Sequence, residues 1–339
     1  MAPGRSLPSV NAPGERLPLR RLVTLLPLGL VLAGCGSKQD SLRPASPQSH
    51  SIATLWWIML AGSAVGLAVV VGILIASWVK RREEGRDRPG TITVLVLGIA
   101  TPILVLVALF SYSDIFLIRG TSPPPANAAA PGGGNELTVH VTGHQFWWEV
   151  SYGGTAVTAN ELHIPVRTPV VVTVHSDDVI HSFWVPQLNR KIDLEPDQVN
   201  RVELYADHAG RFRGQCAEFC GLQHAHMGFY VFADPPGAFR RWLAAQRKPA
   251  TKPLPSLFDQ KCSSCHAIRG TSAHAHVGPD LTHVASRTSL AALTIPNTPE
   301  HMREWLAETQ HVKPGALMPQ VDLTRAQVNT LTAYLETLK

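Results

Sequence analysis

The sequence predicts a multidomain membrane protein: a two-helix transmembrane hairpin, then an all-β sandwich or barrel, then an all-α domain. Three observations carry that expectation. Residues 52–79 and 92–110 are nearly uncharged and apolar, each near the roughly 20 residues that cross a hydrocarbon core. Residues 137–141, 170–175 and 199–204 are alternating or β-branched runs, broken by Gly, Pro and Asn/Asp clusters. Near the C-terminus Val328, Leu331, Leu335 and Leu338 recur at helical spacing, a stripe read as core. At 339 residues the chain also exceeds one typical domain of about 100–200.

The elements follow in order. Arg16, Arg20 and Arg21 precede an apolar run at 22–32, which is the pattern of a signal peptide and too short for a span. Leu32-Ala33-Gly34-Cys35 closes it and resembles a bacterial lipobox, implying a lipoprotein signal over 1–34 and lipid on the Cys35 sulfur. A linker at 35–50 leads to the hairpin, placed at 51–118. Lys80, Arg81, Arg82, Arg86 and Arg88 crowd the short loop between the spans, so that loop is expected in the cytoplasm and both hairpin ends outside. Trp56, Trp57 and Trp78 read as interfacial anchors. Residues 122–135 are rich in Pro, Ala and Gly without periodicity, and a linker is placed at 119–135. The β domain is placed at 136–234, and a second linker with a short helix at 239–246 occupies 235–255. The helical domain takes 256–339, with helices expected at 300–310 and 325–338.

A formal charge of +5 is modest, and many of the basic residues border apolar segments. The basic balance therefore reports membrane topology, and no motif supports a nucleic-acid partner. The five cysteines are more telling. Cys35 ends the signal, Cys216 pairs with Cys220, and Cys262 pairs with Cys265 directly before His266, so none is left for a disulfide framework.

In the β domain Cys216-Ala217-Glu218-Phe219-Cys220 continues through His224, His226 and Met227, and His181 lies upstream. Thiolates, imidazoles and a thioether form a soft donor set that selects copper or zinc over hard cations. Two cysteines, where a mononuclear blue-copper site needs one, suggest two metals. A structural zinc site or a disulfide is the competing reading, and the combined spacing through Met227 counts against it. His226 stands as an alternative to His224, whereas His140, His163 and His175 read as strand or surface residues.

This stretch resembles the dinuclear copper domain of the cytochrome c oxidase subunit II family, a cupredoxin-like fold. The resemblance implies that Cys216 and Cys220 bridge two copper ions, with His181 and His224 on one ion each. It implies Met227 as a weak ligand, the Glu218 carbonyl as another, and the Glu218 carboxylate on a magnesium ion shared with subunit I. Gly143-His144-Gln145-Phe146-Trp147-Trp148 resembles the family's aromatic stretch for electron input. It departs at Phe146, where the family has a Trp, so that role falls to Phe146 or Trp147 or passes to a different docking surface.

Cys262-Ser263-Ser264-Cys265-His266 is the attachment pattern of a covalent c-type haem, with His266 on the iron. Of the two methionines downstream, Met318 in Pro314-Gly315-Ala316-Leu317-Met318-Pro319 is the better second ligand, because Met302 falls in a predicted helix. Gly278-Pro279-Asp280-Leu281 resembles the loop beside the axial His in class I cytochromes c.

Together the parts resemble subunit II of a caa-type oxidase, whose linker holds the haem donor at millimolar effective concentration. The implied function is electron input to a bacterial haem-copper oxidase, from a cytochrome donor to subunit I, where oxygen is reduced to water. Other oxidase subunits and membrane lipid are the implied partners, with the copper and haem domains on the outer face of the cytoplasmic membrane. A copper-containing nitric oxide reductase subunit and a freestanding membrane-anchored carrier are the alternatives.

Overall fold

Alternation of apolar and polar side chains builds the centre of the molecule. In strand β9 (Gly210–Cys216) Phe212, Gly214 and Cys216 point inward, while Arg211, Arg213 and Gln215 between them are less buried. Ten strands form two five-stranded sheets. The first holds β1 (Val139–His144), β2 (Trp147–Tyr152), β3 (Ala156–Ala159), β5 (Val170–Ser176) and β8 (Asn200–Leu204), in the order β3-β2-β1-β5-β8. The second runs β4-β10-β9-β6-β7, with β4 at Glu161–Pro165, β6 at His181–Trp184, β7 at Ile192–Leu194 and β10 at Gly228–Asp234. Pairing is antiparallel except for β1 with β5 and β4 with β10. The expected sandwich is present. The structure, a computed structural model, describes residues 39–80, 88–122, 137 and 139–339. The signal, Cys35, residues 81–87 of the basic loop and residues 123–135 of the linker lie outside them.

Trp148 is the pivot of the sandwich core. It is fully buried, meets Phe183 at 5.9 Å and Phe229 at 5.3 Å between ring centroids, and donates its indole N–H to the Met227 carbonyl at 3.2 Å. Truncation of so large a side chain removes packing and leaves a cavity. Trp148→Ala is expected to cost about 3–5 kcal/mol, read as a lower midpoint for the β domain's transition in thermal unfolding.

Helix α1 (Pro47–Lys80) starts five residues before the apolar run at 52–79. The cause is local: Ser46 Oγ accepts the Ser49 N–H at 3.0 Å, and Pro47 fits the first helical position. Ser49 Oγ also donates to the Gln187 carbonyl at 2.7 Å, tying the start of α1 to the sandwich. The second span, α2, occupies 88–121 and runs past the hairpin's expected end at 118, passing through π-helical stretches at Val94–Ala100 and Ser113–Ile118. Its last turn is held when Arg190 Nε donates to Thr121 Oγ1 at 3.1 Å. Pro47–Val79 and Val94–Thr121 are long and apolar enough to cross a bilayer, and Leu67, Leu74, Leu104 and Phe110 point outward uncovered.

Helix α3 (Pro236–Gln246), expected as part of a linker, belongs to the sandwich core. Phe239 and Leu243 are buried there, and Trp242 packs on Tyr152 with centroids 5.2 Å apart. The C-terminal domain has four short helices, α4 (Ser256–Lys261), α5 (Pro299–Ala307), α6 (Thr309–Val312) and α7 (Arg325–Leu335). The helix expected at 300–310 breaks at Glu308, whose φ of −138° and ψ of 45° leave the helical region. The last helix stops at Leu335, three residues before the expected end. Thr324 and Gln327 close a capping box at its start. A small hairpin, β11 (Ser289–Leu290) with β12 (Ile295–Pro296), interrupts the helices.

Candidate metal and haem centres

The loop between β9 and β10 carries most of the soft donors. Cys216 ends β9, Met227 precedes β10, and a bond from Cys216 N–H to the Met227 carbonyl at 3.0 Å pins the two ends together. His181 begins β6 next to β9, where Phe183 pairs with Cys216. Gly143 makes room for it, because a Cβ there would stand 2.8 Å from the His181 ring.

The donors converge. Cys216 Sγ lies 3.8 Å from Cys220 Sγ, 3.8 Å from His181 Nδ1 and 3.1 Å from the Glu218 carbonyl oxygen. Cys220 Sγ lies 3.7 Å from His224 Nδ1 and 3.7 Å from Met227 Sδ. His226 is directed elsewhere, with Nδ1 at 2.8 Å from Gln223 Oε1. A disulfide would need sulfurs about 2.05 Å apart. Two metal–thiolate bonds of about 2.3 Å from a common ion span close to the observed gap.

The donor set suits a soft cation in its electrostatics as well. With one thiol donating to the other, the Cys216 thiol is lowered and the Cys220 thiol is pushed up, so the pair resists carrying two thiolates side by side. A bound cation is what allows both sulfurs to ionise. The far nitrogen of His181 is held by Asp178 Oδ1 at 2.8 Å, which fixes the ring and turns Nδ1 toward the sulfurs. The Glu218 carboxylate is half-buried, and its Oε1 accepts the Phe219 N–H at 3.3 Å.

In the helical domain Cys262, Cys265, His266 and Met318 line one cavity of about 320 Å³, and Met302 of α5 lines it too. His266 Nδ1 donates to the Pro279 carbonyl at 2.8 Å, while burial lowers the imidazole pKa. The ring is therefore neutral with Nε2 free to bind iron. Gly278 permits this approach, since a Cβ would stand 2.6 Å from His266 Cε1. An apolar cavity with paired thiols and a neutral imidazole fits a haem.

The cavity is not confined to the helical domain. Gln145, Phe146 and Trp147 of the sandwich form part of its wall. Trp147 stacks on His144 with centroids 4.4 Å apart and planes 9° from parallel. Gln145 Nε2 donates to the Cys220 carbonyl at 2.6 Å, so one residue joins the cavity wall to the thiolate loop. Gln145, Asp178 and Lys313 were not singled out by the sequence reading. Gln145 lay within the aromatic motif, but Asp178 and Lys313 lie in segments with no metal-ligand spacing.

Such a molecule is a membrane-anchored electron carrier with a soft-metal site facing a haem-type cavity. Residues 154–233 match the family described as cytochrome c oxidase subunit II, periplasmic domain, and residues 255–339 match cytochrome c. Cytochrome c oxidase subunit 2 of Alkalihalophilus pseudofirmus is 32% identical, covering 94% of this chain and 97% of the relative. The Bacillus subtilis protein of that name is 28% identical over 94% of this chain and 98% of its own. The crystal structure of the periplasmic domain of subunit II of cytochrome oxidase from Bradyrhizobium japonicum aligns with 35% of this chain and 97% of that one, at 29% identity and a TM-score of 0.32. The chain belongs to the cytochrome c oxidase subunit 2 family, in the form that carries a C-terminal cytochrome c domain. It is the electron-input subunit of a haem-copper terminal oxidase, a membrane complex with other oxidase subunits, and copper and haem are the cofactors its two domains imply.

Proposed function

We propose that the chain receives electrons from a cytochrome donor and passes them in series, through its own haem c and a dinuclear copper centre, to subunit I for oxygen reduction. The supporting observation is the shared wall, in which Gln145 borders the His266 cavity and donates to the Cys220 carbonyl. When bound, the haem and the copper pair supply the one-electron chemistry. Cys262 and Cys265 would anchor the haem by thioethers, with His266 and Met318 on its axis. Cys216 and Cys220 would bridge the coppers, with His181, His224, Met227 and the Glu218 carbonyl completing the set. The Glu218 carboxylate would hold a magnesium ion shared with subunit I. Trp148 holds the Met227 carbonyl and Asp178 holds His181, so donors and supports are fixed before an electron arrives. Phe146 and Trp147, lining the cavity, would be the aromatic route between the centres.

We place 1–34 as a signal peptide, lipid on Cys35, and the copper and haem domains on the outer face of the cytoplasmic membrane. Metal and haem analysis of the purified complex tests the proposal: two coppers and one covalent haem per chain are expected, and fewer coppers or an extractable haem would refute it. Met318→Leu is expected to leave the haem attached but to remove its thioether signature and lower its potential, by spectroelectrochemistry. An unchanged spectrum would assign the ligand to Met302, the other cavity methionine.

A further inference from the structure

A flexible tether would leave the two outer domains free to part and meet, yet here they share a seam of direct bonds. Lys313, just after α6 in the helical domain, stands in that seam and is 2% exposed. Its Nζ donates to the carbonyls of Phe146 at 3.0 Å, His226 at 2.9 Å and Ala291 at 2.8 Å. An ammonium has three N–H donors, and these three oxygens use them all. Phe146 belongs to the cavity wall and His226 to the copper loop, whereas Ala291 belongs to the helical domain. Burial pushes the Lys313 ammonium down from its ordinary range, and three carbonyl oxygens stand against that charge. The desolvation penalty thus falls at the seam and not in either core.

Other contacts cross beside it. Gln223 Nε2 donates to the Pro314 carbonyl at 2.6 Å, and Gly228 N–H donates to the Ala292 carbonyl at 3.3 Å. Buried Glu161 of the sandwich accepts from both the N–H and the hydroxyl of Thr288, each at 2.6 Å. Ala291, Ala292 and Leu293 hold φ at 53°, 57° and 66°, a left-handed run that residues with a Cβ avoid. Such a run persists where its surroundings over-determine it. Here the surroundings are the copper loop and the Lys313 ammonium.

We propose that Lys313 is a positioning residue for electron transfer: its three-carbonyl clasp fixes the haem domain on the copper loop, so electrons cross a set seam and do not wait for tethered encounters. The inference rests on the reading that the two donor sets hold haem and copper. The test uses the complete chain in its oxidase complex. Lys313→Met keeps much of the side chain's length and removes the donors, taking the ammonium from the Phe146 and His226 carbonyls while docked, whereas the Ala291 carbonyl keeps the Thr294 hydroxyl at 2.6 Å.

The expected variant keeps its copper and haem. The haem–copper distance distribution, read by pulsed electron paramagnetic resonance, is narrow in the parent and broad in the variant. Hydrogen exchange rises at 224–228 and 289–293, and haem-to-copper transfer slows about tenfold or more. Delivery from copper onward stays unchanged. A second variant, doubling the Pro-rich connection at 248–255 with Gly and Ser, serves if Lys313→Met does not fold. A clasped domain keeps its transfer rate, whereas tethered encounter predicts a fall of about threefold from the −3/2 power of linker length. A parental rate and a narrow distance in Lys313→Met would overturn the clasp, and so would slowing by the longer connection. Missing copper or haem in the parent itself would remove the underlying reading, an outcome visible before any variant is made.

Discussion

Cys216→Ser abolishes copper binding and electron delivery while leaving the haem attached. Cys216 touches as many of the donor set as Cys220 does, standing within 3.8 Å of Cys220, His181 and the Glu218 carbonyl. A serine hydroxyl stays protonated near neutral pH and is a hard donor, so the thiolate proposed to bridge the coppers has no substitute. Loss of an outer-shell partner costs about 10–100-fold in metal affinity or activity, so loss of this ligand is expected to exceed about a hundredfold in oxygen uptake. The copper analysis and oxygen uptake should fall together. A variant retaining full copper and full uptake would mean that Cys220, His181, His224 and Met227 hold the metal without it.

Replacing both Cys262 and Cys265 by Ala unfolds the helical domain and leaves the sandwich folded. A cavity of about 320 Å³ lies among helices of 6, 9, 4 and 11 residues, none long enough to be stable alone. At about 24 cal/mol per Å³, an unfilled cavity of that volume costs up to about 8 kcal/mol. That is comparable with the whole stability of a small domain, about 5–15 kcal/mol. If Cys262 and Cys265 anchor the haem by thioethers as proposed, their loss lets it dissociate and exposes that cost. Calorimetry should show one transition near the parent's for the sandwich and none for residues 256–339, with protease cutting confined to that part. A variant that keeps its helical content and protease resistance after haem extraction would show that the core around Phe258, Ile268 and Leu331 suffices.

The membrane spans and both donor sets were legible because each rests on a local pattern. Apolar runs of bilayer length, Cys216 through Met227, and Cys262 through His266 each declare their chemistry within a few residues. The sandwich was legible as a class, but only three of its ten strands were marked. Strands such as β4 and β6 are short, and their burial on both faces hides the alternation that marks a half-exposed strand. The 239–246 segment looked like a linker because Pro235, Pro236 and Pro249 flank it; only packing reveals Phe239 and Leu243 as core.

What no local pattern carries is contact between domains. Lys313 follows a short helix and precedes a proline, and sequence alone reads such a lysine as solvated. Its three carbonyl partners come from residues 146, 226 and 291, separations that no spacing rule reaches. Gln145 was likewise invisible as a link, since its partner Cys220 lies 75 residues away. Under the proposed clasp, a packed seam would take the place of the millimolar effective concentration expected of a tether.

Series transfer within one chain is the central claim, and rapid photoreduction of the haem in the complete subunit tests it most directly. The haem signal should decay in a single first-order phase, copper should become reduced at that rate, and the rate constant should not change on tenfold dilution of the protein. A rate that scales with protein concentration, or copper reduction that precedes haem oxidation, would contradict it.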